Sequence, residues 1–164
     1  MKTFIVATLI VLSTVALNST HAQGKDGFGV GVIVGEPTGL SFKKWTGSRQ
    51  AIAAGIAWSF SENASFHFHA DYLQHKFDVV KMAEGQGQLP VYFGLGGRLK
   101  LREGNSGRGR NDDDPMVGVR VPLGVSYLFA DAPVDLFAEI VPVLDLVPDT
   151  DFDLSAAIGA RFYF

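Results

Sequence analysis

Cysteine is absent from this chain. That excludes a disulfide framework, a thiolate nucleophile, a thiolate metal site and a lipidated cysteine anchor. Long hydrophobic runs are also missing. Although 47% of the residues are apolar, nowhere do about 18 follow one another, so no membrane-spanning helix is expected. Charge is sparse, at 19%, and nearly balanced, with 14 basic and 17 acidic residues and a formal net charge of −3. Without a basic excess, nothing argues for a nucleic-acid partner. No mature segment carries a 3.6-residue apolar stripe long enough for a helix. What the chain does have is 19 glycines and 13 phenylalanines, a composition suited to tight turns, close-packed strands and aromatic belts.

The most informative stretch is the last, Phe152 to Phe164, in which every even position is apolar and the odd positions are small or polar. Side chains alternate across a strand, so one face calls for hydrocarbon and the other does not. A transmembrane β-strand needs about 9–11 tilted residues of this kind. Earlier segments repeat the pattern: Gly27–Gly35, Leu40–Trp45, Gln50–Phe60, Ala64–Lys76, Leu89–Arg102, Met116–Phe129 and Val134–Val143, the last losing its alternation near Pro142. Turn chemistry separates them, as at Glu36-Pro37-Thr38-Gly39, Ser61-Glu62-Asn63 and Ala130-Asp131-Ala132-Pro133. The sequence therefore predicts eight strands in one domain. The fold class expected is all-β, an eight-stranded antiparallel up-and-down transmembrane barrel, since only closure satisfies every strand edge in hydrocarbon.

Residues Met1 to Ala22 are expected to be a cleavable signal peptide, with Lys2 at its start, an apolar run from Phe4 to Leu17 and a small-x-small site at Thr20-His21-Ala22. The barrel domain is then residues 23–164, placed in the outer membrane after export. With the mature N-terminus in the periplasm, Glu103 to Pro115 and Val147 to Asp151 fall outside the cell, while Thr46–Arg49 and Ala130–Pro133 are short periplasmic turns. The link Phe77–Gln88, with its turn at Glu84-Gly85-Gln86-Gly87, is long for that side and is expected to be a strand pair extending beyond the membrane.

The inward faces collect Lys43, His67, His69, Asp71, Arg98, Lys100, Arg102, Arg120, Glu139, Asp153 and Arg161. An eight-stranded barrel is only wide enough to be filled by side chains, so these charges must pair. The expectation is a plug in which Glu139, Asp71 and Asp153 neutralise Arg98, Arg120 and Arg161. A narrow conductive path is the alternative. His67, His69 and Asp71 stand at i, i+2 and i+4, but ligands about 7 Å apart along one strand cannot meet one ion unaided. Asp149-x-Asp151-x-Asp153 begins like a calcium loop, yet Leu154 replaces the required glycine and Ala160 the bidentate glutamate. Asp112-Asp113-Asp114 is acidic without such a frame. The glycine runs contain neither a dinucleotide fingerprint nor a phosphate-loop lysine and predict close strand packing. No cofactor and no metal site is expected.

Two resemblances follow from these residues. The closing strand resembles the C-terminal signal read by the outer-membrane assembly machinery, with Gly159, Phe162 and Phe164 at its glycine, hydrophobic and terminal aromatic places and Ala157 where a polar residue is preferred. The mature chain as a whole resembles small outer-membrane barrels of the OmpA and OmpX transmembrane type. Through GEPTGLS (Gly35–Ser41) and the stretch Asp131–Phe164 it also resembles a group of uncharacterised Gram-negative barrels. The group resemblance brings no biochemical activity with it; the expectation is a non-enzymatic barrel with a structural or surface role, whose partners are outer-membrane lipid, the assembly machinery and an envelope or extracellular partner met through Glu103 to Pro115. A lipid-modifying enzyme is a further alternative, for which no His-x-Ser motif is found.

Overall fold

The computed structural model describes residues 27–36, 38–59, 65–83, 85–102 and 115–164. The expected signal peptide, the Asp112–Asp114 run and most of the Glu103 to Pro115 loop lie outside the described residues. The alternating segments form strands β1 (Phe28–Gly35), β2 (Gly39–Trp45), β3 (Gln50–Ser59), β4 (Ser65–Lys76), β5 (Val91–Arg102), β6 (Met116–Arg120), β7 (Leu123–Leu128), β8 (Val134–Val147) and β9 (Asp151–Tyr163). Neighbours pair antiparallel, β9 pairs with β1, and β6 and β7 together bridge β5 to β8. The result is a closed ring of eight staves with no helix among the described residues.

The sixth stave departs from the single strand expected over Met116–Phe129. It breaks at Val121-Pro122, because Pro122 has no N–H to give β5 and offers only its carbonyl, which accepts from Gly94 N–H at 2.9 Å. Across the break Val121 N–H donates to Pro142 O at 3.0 Å, so the ring stays closed. Nor does β8 end near Pro142: it runs to Val147. Its alternation persists there, but the inward positions Val141 and Val143 are themselves apolar, which hides the period in the sequence. The Phe77–Gln88 link is not an extended strand pair. It bends back under the ring, where Gln88 bridges Leu128, Tyr127 Oη donates to Gln86 O, and Phe77 packs near Trp45. Trp45, Ala51 and Tyr163, with Phe77 and Leu128 against them, fill that end.

Every stave turns its apolar set outward. Ile158 is 63% exposed, Leu95 61% and Ile140 54%, while Lys43, Arg161 and Asp135 are buried. A soluble barrel with the Phe and Val faces inward would show the reverse. Inside, small and large residues face each other in register. Gly29 lies opposite Tyr163, Gly55 opposite His69, Gly96 opposite Asp71, Gly124 opposite Tyr92 and Gly159 opposite Phe137. In each pair a Cβ on the glycine would meet its partner's side chain at less than ordinary contact distance. These glycines are therefore chosen for space.

Gly159→Val should destabilise the barrel by about 1–3 kcal/mol, the usual range for overpacking, because the new Cβ meets the Phe137 ring. Gly97→Ala should be nearly neutral, since the nearest atom to a Cβ there is Gly118 O at 3.7 Å. Urea unfolding in detergent micelles, followed by tryptophan fluorescence, reads both. Equal midpoints for the two variants would refute the space argument.

Candidate functional site: the charged lumen

The strand period places one residue in two inside, and the staves bring charges from distant parts of the chain together in three groups. Nearest the 46–49 turn, Asp135 of β8 is fully buried and serves two cations. Its Oδ2 lies 3.2 Å from an Arg161 guanidinium nitrogen and 3.6 Å from Lys43 Nζ. It also accepts from Tyr163 Oη at 2.8 Å. Arg161 Nε donates to Ser41 Oγ at 2.9 Å, and its guanidinium stacks 3.7 Å from the centroid of the Phe137 ring. Lys43 Nζ is 3.0 Å from His75 Nε2 and 4.4 Å from the Trp45 ring. Aromatic faces and one shared carboxylate thus hold two cations where water is excluded.

The middle group is centred on Arg120, 4% exposed. Its Nε lies 2.9 Å from Asp71 Oδ1, close enough for an ion pair but off the angle of a hydrogen bond. A second nitrogen reaches Glu139 Oε1 at 3.4 Å, and Glu139 Oε2 accepts from Tyr92 Oη at 2.8 Å. Towards the other end, Arg98 grips Asp145 with two parallel bonds, of 2.9 and 2.5 Å, and reaches Asp153 at 2.8 Å. The fork geometry of that Arg98–Asp145 pair is the strongest form of charge-assisted recognition.

Of the residues expected inside, Lys43, Asp71, Arg98, Arg120 and Arg161 are buried and Glu139 and Asp153 are half-buried. The three expected carboxylates do lie on these arginines, Asp153 on Arg98 and Asp71 with Glu139 on Arg120, but the two-pronged partner of Arg98 is Asp145. Arg161 takes Asp135 instead. Asp135 and Asp145 lie outside the expected set, and both are among the most buried of the described residues. Asp135 stands on the same parity of β8 as Glu139, so the alternation alone could have found it. Asp145 lies past Pro142, beyond the point where the strand was expected to end. His67 and Lys100 stand cross-strand from each other on the inward face, half-buried, as does His69, cross-strand from Arg98. The side chain of Arg102 is outside the described residues. Among the described residues no three His, Asp or Glu side chains approach closely enough to hold a metal ion. A separate concavity of about 640 Å³ lies mostly on the outer wall, over Ala138 and Ala156 between Ile140, Ile158 and Leu123. Its rim is apolar.

No family model matches the sequence, and no curated protein matches it either. Among solved structures the N-terminal β-barrel domain of OprF from Pseudomonas aeruginosa is similar, with a TM-score of 0.57 and 16% identity over 84% of this chain and 96% of that one. The fold is an OmpA-type eight-stranded barrel. The likeness is one of architecture.

Asp135→Asn should cost about 3–5 kcal/mol, because it leaves Arg161 and Lys43 buried without their shared carboxylate. Asp78→Asn, which breaks the Arg49–Asp78 pair between side chains 52% and 75% exposed, should change stability by less than about 1 kcal/mol. Chemical unfolding of both variants in micelles measures the difference. A loss below 1 kcal/mol for Asp135→Asn would mean that the two cations are neutralised in another way.

Proposed function

We propose that this chain is an integral outer-membrane β-barrel with a structural or surface-interaction role and a lumen closed by its own ion pairs. One observation carries the reading: the apolar set of every stave faces out and, apart from Lys44 and Lys76 near strand ends, the described strand charges face in. Soluble proteins do not sheathe themselves in apolar side chains, whereas a barrel in hydrocarbon must. Aromatic residues near the strand ends, Phe28 and Phe164 at one and Phe66 and Phe152 at the other, suit the two interfacial girdles. Gly159, Phe162 and Phe164 serve, in this reading, as the assembly signal, and export by the Met1–Ala22 signal peptide belongs to it as well. Partners would be membrane lipid, the assembly machinery and an envelope or extracellular molecule met through the Glu103 to Pro115 loop.

A non-enzymatic role fits the lumen better than catalysis. Each buried guanidinium is held by carboxylates of the same wall, and Arg120 and Arg98 each have two. A narrow channel is the second reading, favoured by the continuous row of polar groups from Asp135 through Arg120 to Arg98.

The protein should fractionate with the outer membrane, resist carbonate and urea extraction, and migrate differently on a gel when unboiled. Ile158→Arg, which puts a charge on the outer wall, should lower the heat-modifiable fraction at a cost of about 2–4 kcal/mol. Recovery of the wild-type chain as soluble periplasmic protein would end the membrane reading.

Conductance separates the two readings of the lumen. Purified barrel in a planar bilayer should show no large, steady current, because paired side chains fill the interior. Reproducible channels whose ion selectivity changes in Arg98→Ala or Arg120→Ala would favour transport over the structural role.

A further inference from the structure

The wall of the barrel has one low side. Strands β1 and β2 stop at Gly35 and Gly39, joined by a tight turn in which Thr38 Oγ1 bonds both the N–H and the carbonyl of Gly35, at 3.2 and 2.9 Å. On one flank β9 pairs with β1 only as far as Ala157, yet β9 begins at Asp151. Glu36 N–H still reaches Ala156 O, so the first five residues of β9, 151–155, rise above that level, by about 16 Å along the strand or roughly 10 Å in height once tilt and the stagger of tilted neighbours are allowed for. On the other flank Trp58 N–H donates to Thr38 O at 3.1 Å, so β3 outruns the turn only by Ser59 among the described residues. Elsewhere the rim stays high, through the pairs Ser65–Arg102 and Val117–Val147. Among the described residues a notch is thus left over β1 and β2, steep beside β9 and shallow beside β3.

The outward faces show the same deficit. Strand β8 carries seven outward apolar positions from Val134 to Leu146, roughly 31 Å of height. Strand β1 carries four, from Phe28 to Val34, or roughly 16 Å, and β2 only Leu40 and Phe42 before Lys44. An outer-membrane barrel normally presents a band of about 25 Å. The backbone at the notch agrees. Glu36 N–H donates to Ala156 O at 3.0 Å, so the polar groups of Ala156 face β1, and those of Leu154 and Phe152 face the same way beyond it. Among the described residues no strand pairs with that flank, and the Phe152 N–H is bonded by Asp151 Oδ1 at 3.0 Å. An unpaired strand edge does not lie in hydrocarbon. The side chain of Asp153, on the same stretch, is 41% exposed despite its bond to Arg98.

We infer that the low wall of β1 and β2 seats the head groups of the surrounding bilayer, which is thinner on that side of the barrel than beside β8. The inference rests on the proposed membrane location and specifies the surface that lipid meets there. The occupant is the lipid of the surrounding leaflet itself, because the notch is continuous with the apolar outer face on both flanks. Head groups that descend to the 36–38 turn keep exposed Glu36 and the free flank of β9 out of hydrocarbon, and the bilayer accommodates the shorter wall by local thinning.

The absence of cysteine makes the test direct. Glu36→Cys, Asp149→Cys and Ser48→Cys, all at exposed turn positions, are labelled singly with a fluorophore after the folded, heat-modifiable form has been confirmed. Each is reconstituted into phosphatidylcholine vesicles carrying a spin-label quencher either on the head group or at mid-chain. The expected result is head-group-depth quenching at position 36, as at position 149, with position 48 at the opposite head-group level. Mid-chain quenching at position 36 would overturn the inference and leave the membrane barrel standing. Head-group quenching at 36 with position 48 lifted into water would also overturn it, since the barrel would then be tilting and the bilayer not thinning. No quenching at any of the three positions would defeat the membrane reading itself.

Discussion

An eight-staved ring encloses a space only as wide as the side chains that line it, so a charge placed inside must meet an opposite charge. The three lumen groups are three solutions to that constraint. Arg98 and Arg120 each draw two carboxylates from other staves, whereas Asp135 is a single carboxylate that serves two cations. The last arrangement is short of negative charge, and it is also where aromatic faces gather: Trp45 beside Lys43 and Phe137 under Arg161. Ring quadrupoles supply there part of what a second carboxylate supplies elsewhere.

Filling the lumen with long side chains has a steric consequence that the glycines meet. Tyr92, Phe137 and Tyr163 reach inward across the neighbouring strand, and the residue paired with each is Gly124, Gly159 or Gly29. The same logic seats His69 over Gly55 and Asp71 over Gly96. Polar pairing and glycine placement are therefore one design. The carboxylates and guanidiniums can converge only because the facing stave has given up its side chain.

The two ends of the ring differ in how they close. At one, the 77–90 link turns back and lays Phe77 against the Trp45 and Tyr163 cluster, so an apolar plug stands between the Asp135 group and solvent. At the other, the staves end at unequal heights, and the Arg98 group lies level with the lowest part of the rim. Among the described residues, charge is thus sealed by apolar side chains at one end and held by its own pairing at the other. That is consistent with the 41% exposure of the Asp153 side chain against 0% for Asp135.

The sequence by itself determined the local structure and the sorting of faces. A period of two along Phe152–Phe164 and its counterparts decides which residues face hydrocarbon, because successive strand side chains point opposite ways. Eight such segments leave a closed ring as the one arrangement without an unpaired edge. The alternation therefore placed Arg98, Arg120 and Arg161 inside. It could not decide which carboxylate meets which guanidinium, because pairing depends on register and shear between staves far apart in sequence. Asp135 and Asp145 show the two ways this failed. The first shared the inward parity but had no visible claim on Arg161, and the second lay beyond a proline where Val141 and Val143 mask the period. The break at Pro122, the inward fold of the link and the notch over β1 and β2 also belong to tertiary structure. Each depends on what a neighbouring stave offers at that height, and no single segment contains that information.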